Sequence, residues 1–266
     1  MIEDKPPSKI AVITGASSGI GTAFAKELAS QGYNLIIIAR REQRLKELAR
    51  ILKEKHETNV EIIIADLSQI DDIEIITQRL EKIEKIDLLV NNAGFGLSGK
   101  FVDTEKTKLF DMIYVHDLAS FSFCRAVLPN MLKRNQGSII NVSSMSGLMI
   151  KYGNVTYTVT KAFLISLSES LQEELRNTKI KIQALCPGMT KSGFHDTKEL
   201  TSFNKNLVPK GLWMNSETLV KKSLAALNKK KTVYIPGFRN KLIVKISNNL
   251  FTGKIIRYLA YKRLKS

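Results

Sequence analysis

The stretch "KIAVITGASSGIG", residues 9–21, decides the fold. It opens with a continuous apolar, β-branched run, the pattern of a strand buried on both faces rather than one. The run stops at Thr14, and Gly15, Gly19 and Gly21 follow in a G-x-x-x-G-x-G spacing before a helical pattern begins. Glycines at such a corner permit a tight turn and let the backbone approach a pyrophosphate, which then rests on the N–H groups of the helix start. Ser17 and Ser18 add hydroxyl donors. A glycine-rich turn alone says little; strand before it and helix after it make it a dinucleotide-binding reading.

The same alternation continues along the chain. "NLIIIA", "VEIIIA", "DLLVN", "SIINVS" and "IKIQAL" read as further strands, with "TVYIP" a candidate seventh. Between them, helical periodicity covers 22–31, 41–56, 70–84, 107–133 and 156–176. Strand–helix alternation of this kind makes an α/β fold, a doubly wound parallel sheet of about seven strands with helices on both faces. Ligands of such sheets bind at the carboxyl ends of the strands. No repeat or low-complexity linker divides the 266 residues, so 1–266 reads as a single domain.

Bulk properties agree. A chain that is 44% hydrophobic and 25% charged can bury a sizeable core. Its two cysteines, Cys124 and Cys186, lie in apolar segments and imply neither a disulfide framework nor a metal cluster. "MIEDKPPSKI" has no apolar signal core, and no apolar run reaches the ~18 residues of a membrane span. A cytoplasmic protein is expected. The net charge of +16 is unevenly placed: residues 229–266 carry eleven Lys or Arg and no acid, leaving five charges to the rest. Such a field favours anionic partners without choosing among them. Nucleic acid is not expected, because no recognised module accompanies the charge.

The second strand selects between nicotinamide dinucleotides. An acid at its end would accept bonds from an adenosine ribose, whereas arginine accommodates a 2′-phosphate. Here "NLIIIA" runs straight into Arg40 and Arg41, with Arg44 one turn on. NADP(H) is the expected cofactor, with Arg40 foremost in forming charge-assisted bonds to the phosphate.

Further on, "NVTYTVTKAF" sets Tyr157 and Lys161 four apart, on one face of a helix. Together with "TGASSGIG", "NNAG" at 91–94 and Ser144 thirteen residues before Tyr157, this Y-x-x-x-K resembles the short-chain dehydrogenase/reductase family from about residue 9 to 192. The resemblance implies a Rossmann-type sheet and homodimers or homotetramers formed through the helices at 107–133 and 156–176. It implies Ser144, Tyr157 and Lys161 as catalytic residues, with Lys161 also holding the nicotinamide ribose. It implies a cofactor lying against Gly15, Ser17, Ser18, Gly19 and Ile20, against Asp66 and Leu67 after the third strand, and against Asn92, Ala93 and Gly94, while Asn91 braces the sheet. Pro187, Gly188, Thr190 and Ser192 of "CPGMTKS" would stand near the nicotinamide carboxamide.

Physical chemistry gives the tyrosine–lysine pair a task. A phenol of pKa ~10 is a poor acid or base at neutral pH. An ammonium ~4 Å away contributes ~4 kcal/mol at an effective dielectric of ~20, lowering the phenol by up to roughly three units before desolvation pushes it back. Tyr157 would then exchange a proton with the substrate oxygen while Ser144 hydrogen-bonds it. The implied activity is hydride transfer between NADP(H) and a ketone or secondary alcohol.

One departure from the family pattern is His116, standing where an asparagine is usual, twenty-eight residues before Ser144. It can replace the asparagine in a proton relay, titrating near neutrality, or simply pack inside the helix. With Asp117 alone beside it, and His195 beside Asp196 alone, no metal site is expected. By the same resemblance, the segment 192–216 stands where the family has its substrate lid; its Phe194, Leu200, Phe203, Leu207, Leu212 and Trp213 suit a hydrophobic carbonyl compound or else serve core packing, and the resemblance points to a 3-oxoacyl or steroid-like ketone. The basic tail, 238–266, has near-helical apolar spacing and either packs on protein or lies on an anionic membrane surface. The functional alternative to an enzyme is a nucleotide-sensing protein that keeps the fold without turnover.

Overall fold

A computed structural model describes residues 9–150, 153–197, 200 and 204–248. Seven strands form one parallel sheet: β1 (Lys9–Thr14), β2 (Tyr33–Ala39), β3 (Val60–Ile64), β4 (Leu88–Asn91), β5 (Ser138–Val142), β6 (Lys181–Leu185) and a short closing strand at Val233–Tyr234. Their spatial order is β3-β2-β1-β4-β5-β6 and then the closing strand. The chain leaves β1 toward one edge, then crosses back to place β4 on its other side, so a crevice opens above the carboxyl ends of β1 and β4.

Alternation along β1 explains the two layers. Ala11 and Ile13 point to one face, where they pack with Phe24 and Leu28 of α1 (Gly19–Ser30), Leu45 and Leu48 of α2 (Glu42–His56) and Val220 of the helix Ser216–Asn228. Val12 points to the other, against Ile76 of α3 (Ile70–Glu81) and Phe123 and Val127 of the helix Ala119–Arg134. Strands clad on both sides need no polar alternation, which is why their sequences are nearly all apolar.

The helical stretch expected at 107–133 is interrupted. It comprises α4 (Lys106–Ile113), a π-helical turn at Tyr114–Leu118, and α5 (Ala119–Arg134). A π-turn adds one residue to the helix without altering its apolar periodicity enough to betray itself in sequence. The helix expected at 156–176 is α6 (Val155–Glu174), and α7 (Ser216–Asn228) lies outside the five helices read from the sequence.

The ends of the 192–216 segment are clamped by a miniature sheet, β7 (Thr190–Lys191) paired with β8 (Met214–Asn215). Ser216 Oγ donates to Lys191 O at 3.0 Å and fastens the base. After the closing strand β9 (Val233–Tyr234), the first part of the basic tail forms α8 (Phe238–Asn248). It packs Val244 and Ile243 against Met145, Leu148 and Met149 of the chain's own domain. The rest of the tail, with its expected break at Gly253, and Phe203 of the lid lie outside the described residues. Among the described residues no helix is long and apolar enough to cross a membrane.

Candidate active site

The floor of the crevice is a joint between the glycine loop and the loop after β4. Thr14, at the end of β1, accepts two backbone N–H groups on one hydroxyl, from Asn92 and Ala93, each at 2.9 Å. Asn92 Nδ2 returns a bond to Thr14 O at 2.9 Å. Gly15 has φ +65°, and a Cβ there would stand 2.8 Å from Ala93 Cα, so the two loops interlock only because this residue is glycine. Sequence reading marked the glycines and passed over Thr14, whose role needs a partner seventy-eight residues away. Asn91 turns inward, its Nδ2 2.8 Å from Asn141 Oδ1, and braces the sheet as expected.

The start of α1 suits an anion. Ser18 is its N-cap without a side-chain cap bond, and the first turn holds no acid, so the helix end keeps its positive partial charge. Arg41 reaches this corner: its Nη2 donates to Ser17 Oγ at 2.8 Å and Ser18 Oγ at 2.7 Å. Partial burial, then the neighbouring Arg44 and Arg40, lower the Arg41 pKa, a sign of accumulated positive charge. Arg40 instead faces Asp66 at 3.5 Å, in a solvent-exposed pair of little energetic weight. Asp66 also accepts the Ser68 N–H at 3.1 Å, and Leu67 is buried beside it. The sequence put Arg40 foremost; the geometry gives Arg41 the reach, because the chain turns into α2 between them. Together these residues fit a dinucleotide, with Ile20 packed at the base of the loop.

Ser144, Tyr157 and Lys161 converge above β5. Ser144 follows the strand in extended conformation and starts a short turn, Met145–Leu148. That turn lies directly on α6, since a Cβ on Gly147 would come 2.5 Å from the Lys161 carbonyl carbon. Ser143 Oγ donates to Lys161 O at 2.6 Å, tying turn to helix. Lys161 is buried, its Nζ donating to Val142 O at 3.1 Å and standing 5.8 Å from the Tyr157 ring centre.

The acidification of the phenol expected from the lysine is overturned in this arrangement. Burial pushes the Tyr157 phenol up to about 12, with the Ser144 hydrogen bond pulling the other way. Burial likewise brings Lys161 down to about 8. Desolvation outweighs the pair's attraction because the ammonium lies over the ring and is bonded to a strand carbonyl.

His116 sits in the π-turn and is fully buried. Its Nε2 accepts the Phe95 N–H at 3.1 Å and therefore carries no hydrogen. The hydrogen is on Nδ1, donated to Thr160 Oγ1 at 2.9 Å, and Thr160 in turn donates to Tyr157 O at 3.1 Å. Burial, and then the Lys161 charge, hold the imidazole well below its ordinary pKa. The titration near neutrality expected from its residue type is therefore absent: the ring is a neutral brace between the 92–96 loop and α6, in contact with the Tyr157 ring edge-on at 5.8 Å. His116→Asn should cost roughly 1–3 kcal/mol of stability, since one buried partner loses its bond. Its activity profile between pH 5 and 8 should keep the wild-type shape; a shifted acid limb would restore His116 to the proton path.

Aromatic rings of the 192–216 segment gather beside Tyr157. Phe194 lies against Tyr157 at 5.9 Å, and His195 bridges Phe194 and Trp213 at 5.3 and 5.5 Å. Leu200 reaches Gly96, where a Cβ would meet its Cδ1 at 2.7 Å. Pro187 O accepts the Met145 N–H at 3.0 Å, and Thr190 Oγ1 donates to Gly188 O at 3.1 Å, so this turn backs the serine loop. Gly94 is a tight point: a Cβ on it would stand 2.8 Å from His116 Nε2 and 3.5 Å from Lys161 Nζ. Gly19 and Ser192 approach as closely on the other wall.

Known proteins are similar to this chain over most of its length. The family described as short chain dehydrogenase matches residues 9–202. An uncharacterized oxidoreductase of Staphylococcus epidermidis is 38% identical over 188 residues, covering 70% of this chain and 79% of the relative. A short-chain dehydrogenase from Sphingobium yanoikuyae, solved in complex with NADPH, superposes with a TM-score of 0.81 at 32% identity, over 86% of this chain and 88% of that one. A bulky-bulky ketone specific alcohol dehydrogenase from Comamonas testosteroni gives a TM-score of 0.77 at 33% identity, over 86% of each chain. Solved structures of similar fold hold NADPH in some cases and NAD in others.

Proposed function

The chain belongs to the short-chain dehydrogenase/reductase family, and on that premise we propose that it is an NADPH-dependent oxidoreductase that reduces a hydrophobic ketone to a secondary alcohol. The observation that carries this reading is the hydroxyl pair of Ser144 and Tyr157 on buried Lys161, facing the glycine-loop crevice. Gly15, Ser17, Ser18, Gly19, Ile20, Asp66, Leu67, Asn92, Ala93, Gly94, Pro187, Gly188 and Thr190 line the path for the dinucleotide, and Arg41, assisted by Arg40, holds its 2′-phosphate. The bound nicotinamide supplies the hydride. Ser144 hydrogen-bonds the carbonyl oxygen, and Tyr157 gives it a proton as negative charge develops there.

The protonation state of Tyr157 suits the reducing half of the reaction. A phenol whose pKa is near 12 is fully protonated at neutral pH, ready to donate, whereas oxidation needs the rare phenolate. For the substrate, Phe194 beside Tyr157 and Leu200 over Gly96 support a bulky apolar ketone, of 3-oxoacyl or steroid-like kind. The similarity to the Comamonas ketone-specific enzyme agrees with bulk on both sides of the carbonyl. Loss of nicotinamide absorbance with a panel of such ketones tests the reading. Tight NADPH binding without turnover of any of them would favour the nucleotide-sensing alternative, which the replacement of asparagine by His116 supports.

A homodimer or homotetramer through α4, α5 and α6 is part of the proposal. Phe110, Phe121, Val159 and Phe163 on these helices are exposed although large and apolar. Light scattering should give a multiple of the chain mass, and Phe121→Glu with Val159→Glu should return it to one; a monomeric wild type would refute this arrangement. A cytoplasmic location is part of the proposal, supported by Cys124 and Cys186 being buried free thiols.

A further inference from the structure

The helix α8 has an inner face that the fold employs and an outer face that it does not. On the inner side Asn240 is buried, its Nδ2 donating to Pro236 O at 2.7 Å, and a Cβ on Gly188 would stand 2.7 Å from the same atom. Val244 and Ile243 pack with Met145, Leu148 and Met149. At about 3.6 residues per turn, Phe238 and Leu242 fall on the side opposite Asn240 and Val244. There Phe238 is 79% exposed and Leu242 45%. Exposed apolar side chains four apart on a seated helix mark a contact surface, because the core has already taken its share of α8. Basic side chains border the pair. Lys241 and Lys245 are exposed on one edge and make no ion pair among the described residues. Arg239 stands on the other, its Nη1 donating to Gly211 O at 3.4 Å. From 229 to 266 the sequence has eleven Lys or Arg and no acid. A second copy would meet this face with the same charges, and like charges opposed across an interface are costly. An apolar pair edged by lysines suits a surface that is apolar within and anionic at its boundary.

We propose that the outer face of α8 docks on an anionic phospholipid bilayer, with Phe238 and Leu242 entering the headgroup region and Lys241 and Lys245 meeting the lipid charges. The attachment is peripheral, since α8 spans only Phe238–Asn248 and is too short to cross a bilayer. Its inner face rests on the turn that starts at Ser144, so docking holds the whole domain at the surface through a helix already packed on it.

Co-sedimentation of the full chain with vesicles tests this. Phosphatidylcholine vesicles containing about a third phosphatidylglycerol should bind it about tenfold or more tightly than pure phosphatidylcholine, and about 1 M salt should remove most of the difference. Lys241→Gln with Lys245→Gln should lower the partition coefficient on the mixed vesicles by about 10- to 30-fold, each basic residue at such a surface being worth about fivefold. Phe238→Gln should lower it by about 3- to 10-fold, as partial burial of a phenylalanine ring requires. All three positions are exposed, so the thermal midpoint should not move. Should a variant misfold, the wild type on the two vesicle types still decides, and Phe238→Trp adds a direct probe. Its fluorescence should be quenched by lipid brominated in the acyl chains beyond any quenching of the wild type, whose single tryptophan is Trp213. Equal binding with and without phosphatidylglycerol, no binding to either, or binding indifferent to Phe238 would overturn the proposal. So would a fall in mass on light scattering for Phe238→Gln, which would assign the face to a second copy. Binding to polyglutamate as tight as to the mixed vesicles, and unchanged by Phe238→Gln, would assign an acidic polypeptide instead. None of these readouts needs turnover, so the surface and the assigned reaction stand or fall separately.

Discussion

Tyr157→Phe should lower kcat for ketone reduction by about 10²- to 10⁴-fold, the usual worth of a positioned proton donor. Phenylalanine keeps the ring, so the edge contact with His116 and the tilted contact with Phe194 survive and the fold should be preserved. What disappears is the hydroxyl bonded to Ser144. Cofactor affinity should change by no more than one hydrogen bond, about 0.5–1.5 kcal/mol. The pH dependence of the wild type carries the same signature. With the phenol near 12, oxidation of the alcohol should accelerate about tenfold per pH unit through the alkaline range, since the phenolate fraction rises in that proportion. Reduction should stay nearly level through neutral pH. A variant as fast as the wild type would remove the tyrosine from the chemistry.

Arg41→Ala should have the second largest effect, on cofactor choice. Each charge-assisted bond from a guanidinium to a phosphate is worth about 1.5–3 kcal/mol, so NADPH should bind roughly 10- to 150-fold more weakly. NADH, lacking the 2′-phosphate, should be affected little. Arg40→Ala should do less, because Arg40 stands exposed beside Asp66. Dissociation constants from nicotinamide fluorescence separate the cases. Equal weakening for both cofactors would mean that Arg41 merely props Ser17 and Ser18, to which it is bonded.

Much of this architecture is written locally. Continuous apolar runs at β1, β2 and β5 announce doubly covered strands, and the glycines after β1 announce the crevice, because each depends on neighbours along the chain. What depends on distant partners is silent in the sequence. Thr14 looks like the last residue of a strand until Asn92 and Ala93 arrive to share its hydroxyl. The π-turn at Tyr114–Leu118 leaves the apolar rhythm of its flanking helices intact, yet it sets His116 against α6. The tyrosine–lysine spacing announces a shared helix face but not the phenol's pKa, which burial raises. Spacing fixes proximity, whereas the pKa depends on burial, to which distant residues such as His116 and Phe194 contribute.

The most direct measurement is single-turnover reduction of a bulky ketone with NADPH deuterated at the transferring carbon, followed by mass analysis of the alcohol. The wild type should place one deuterium on the carbinol carbon, and Tyr157→Phe, with cofactor bound, should form the labelled alcohol hundreds of times more slowly. Labelled alcohol appearing equally fast from both, or from neither while the dinucleotide remains bound, would contradict the proposed reaction.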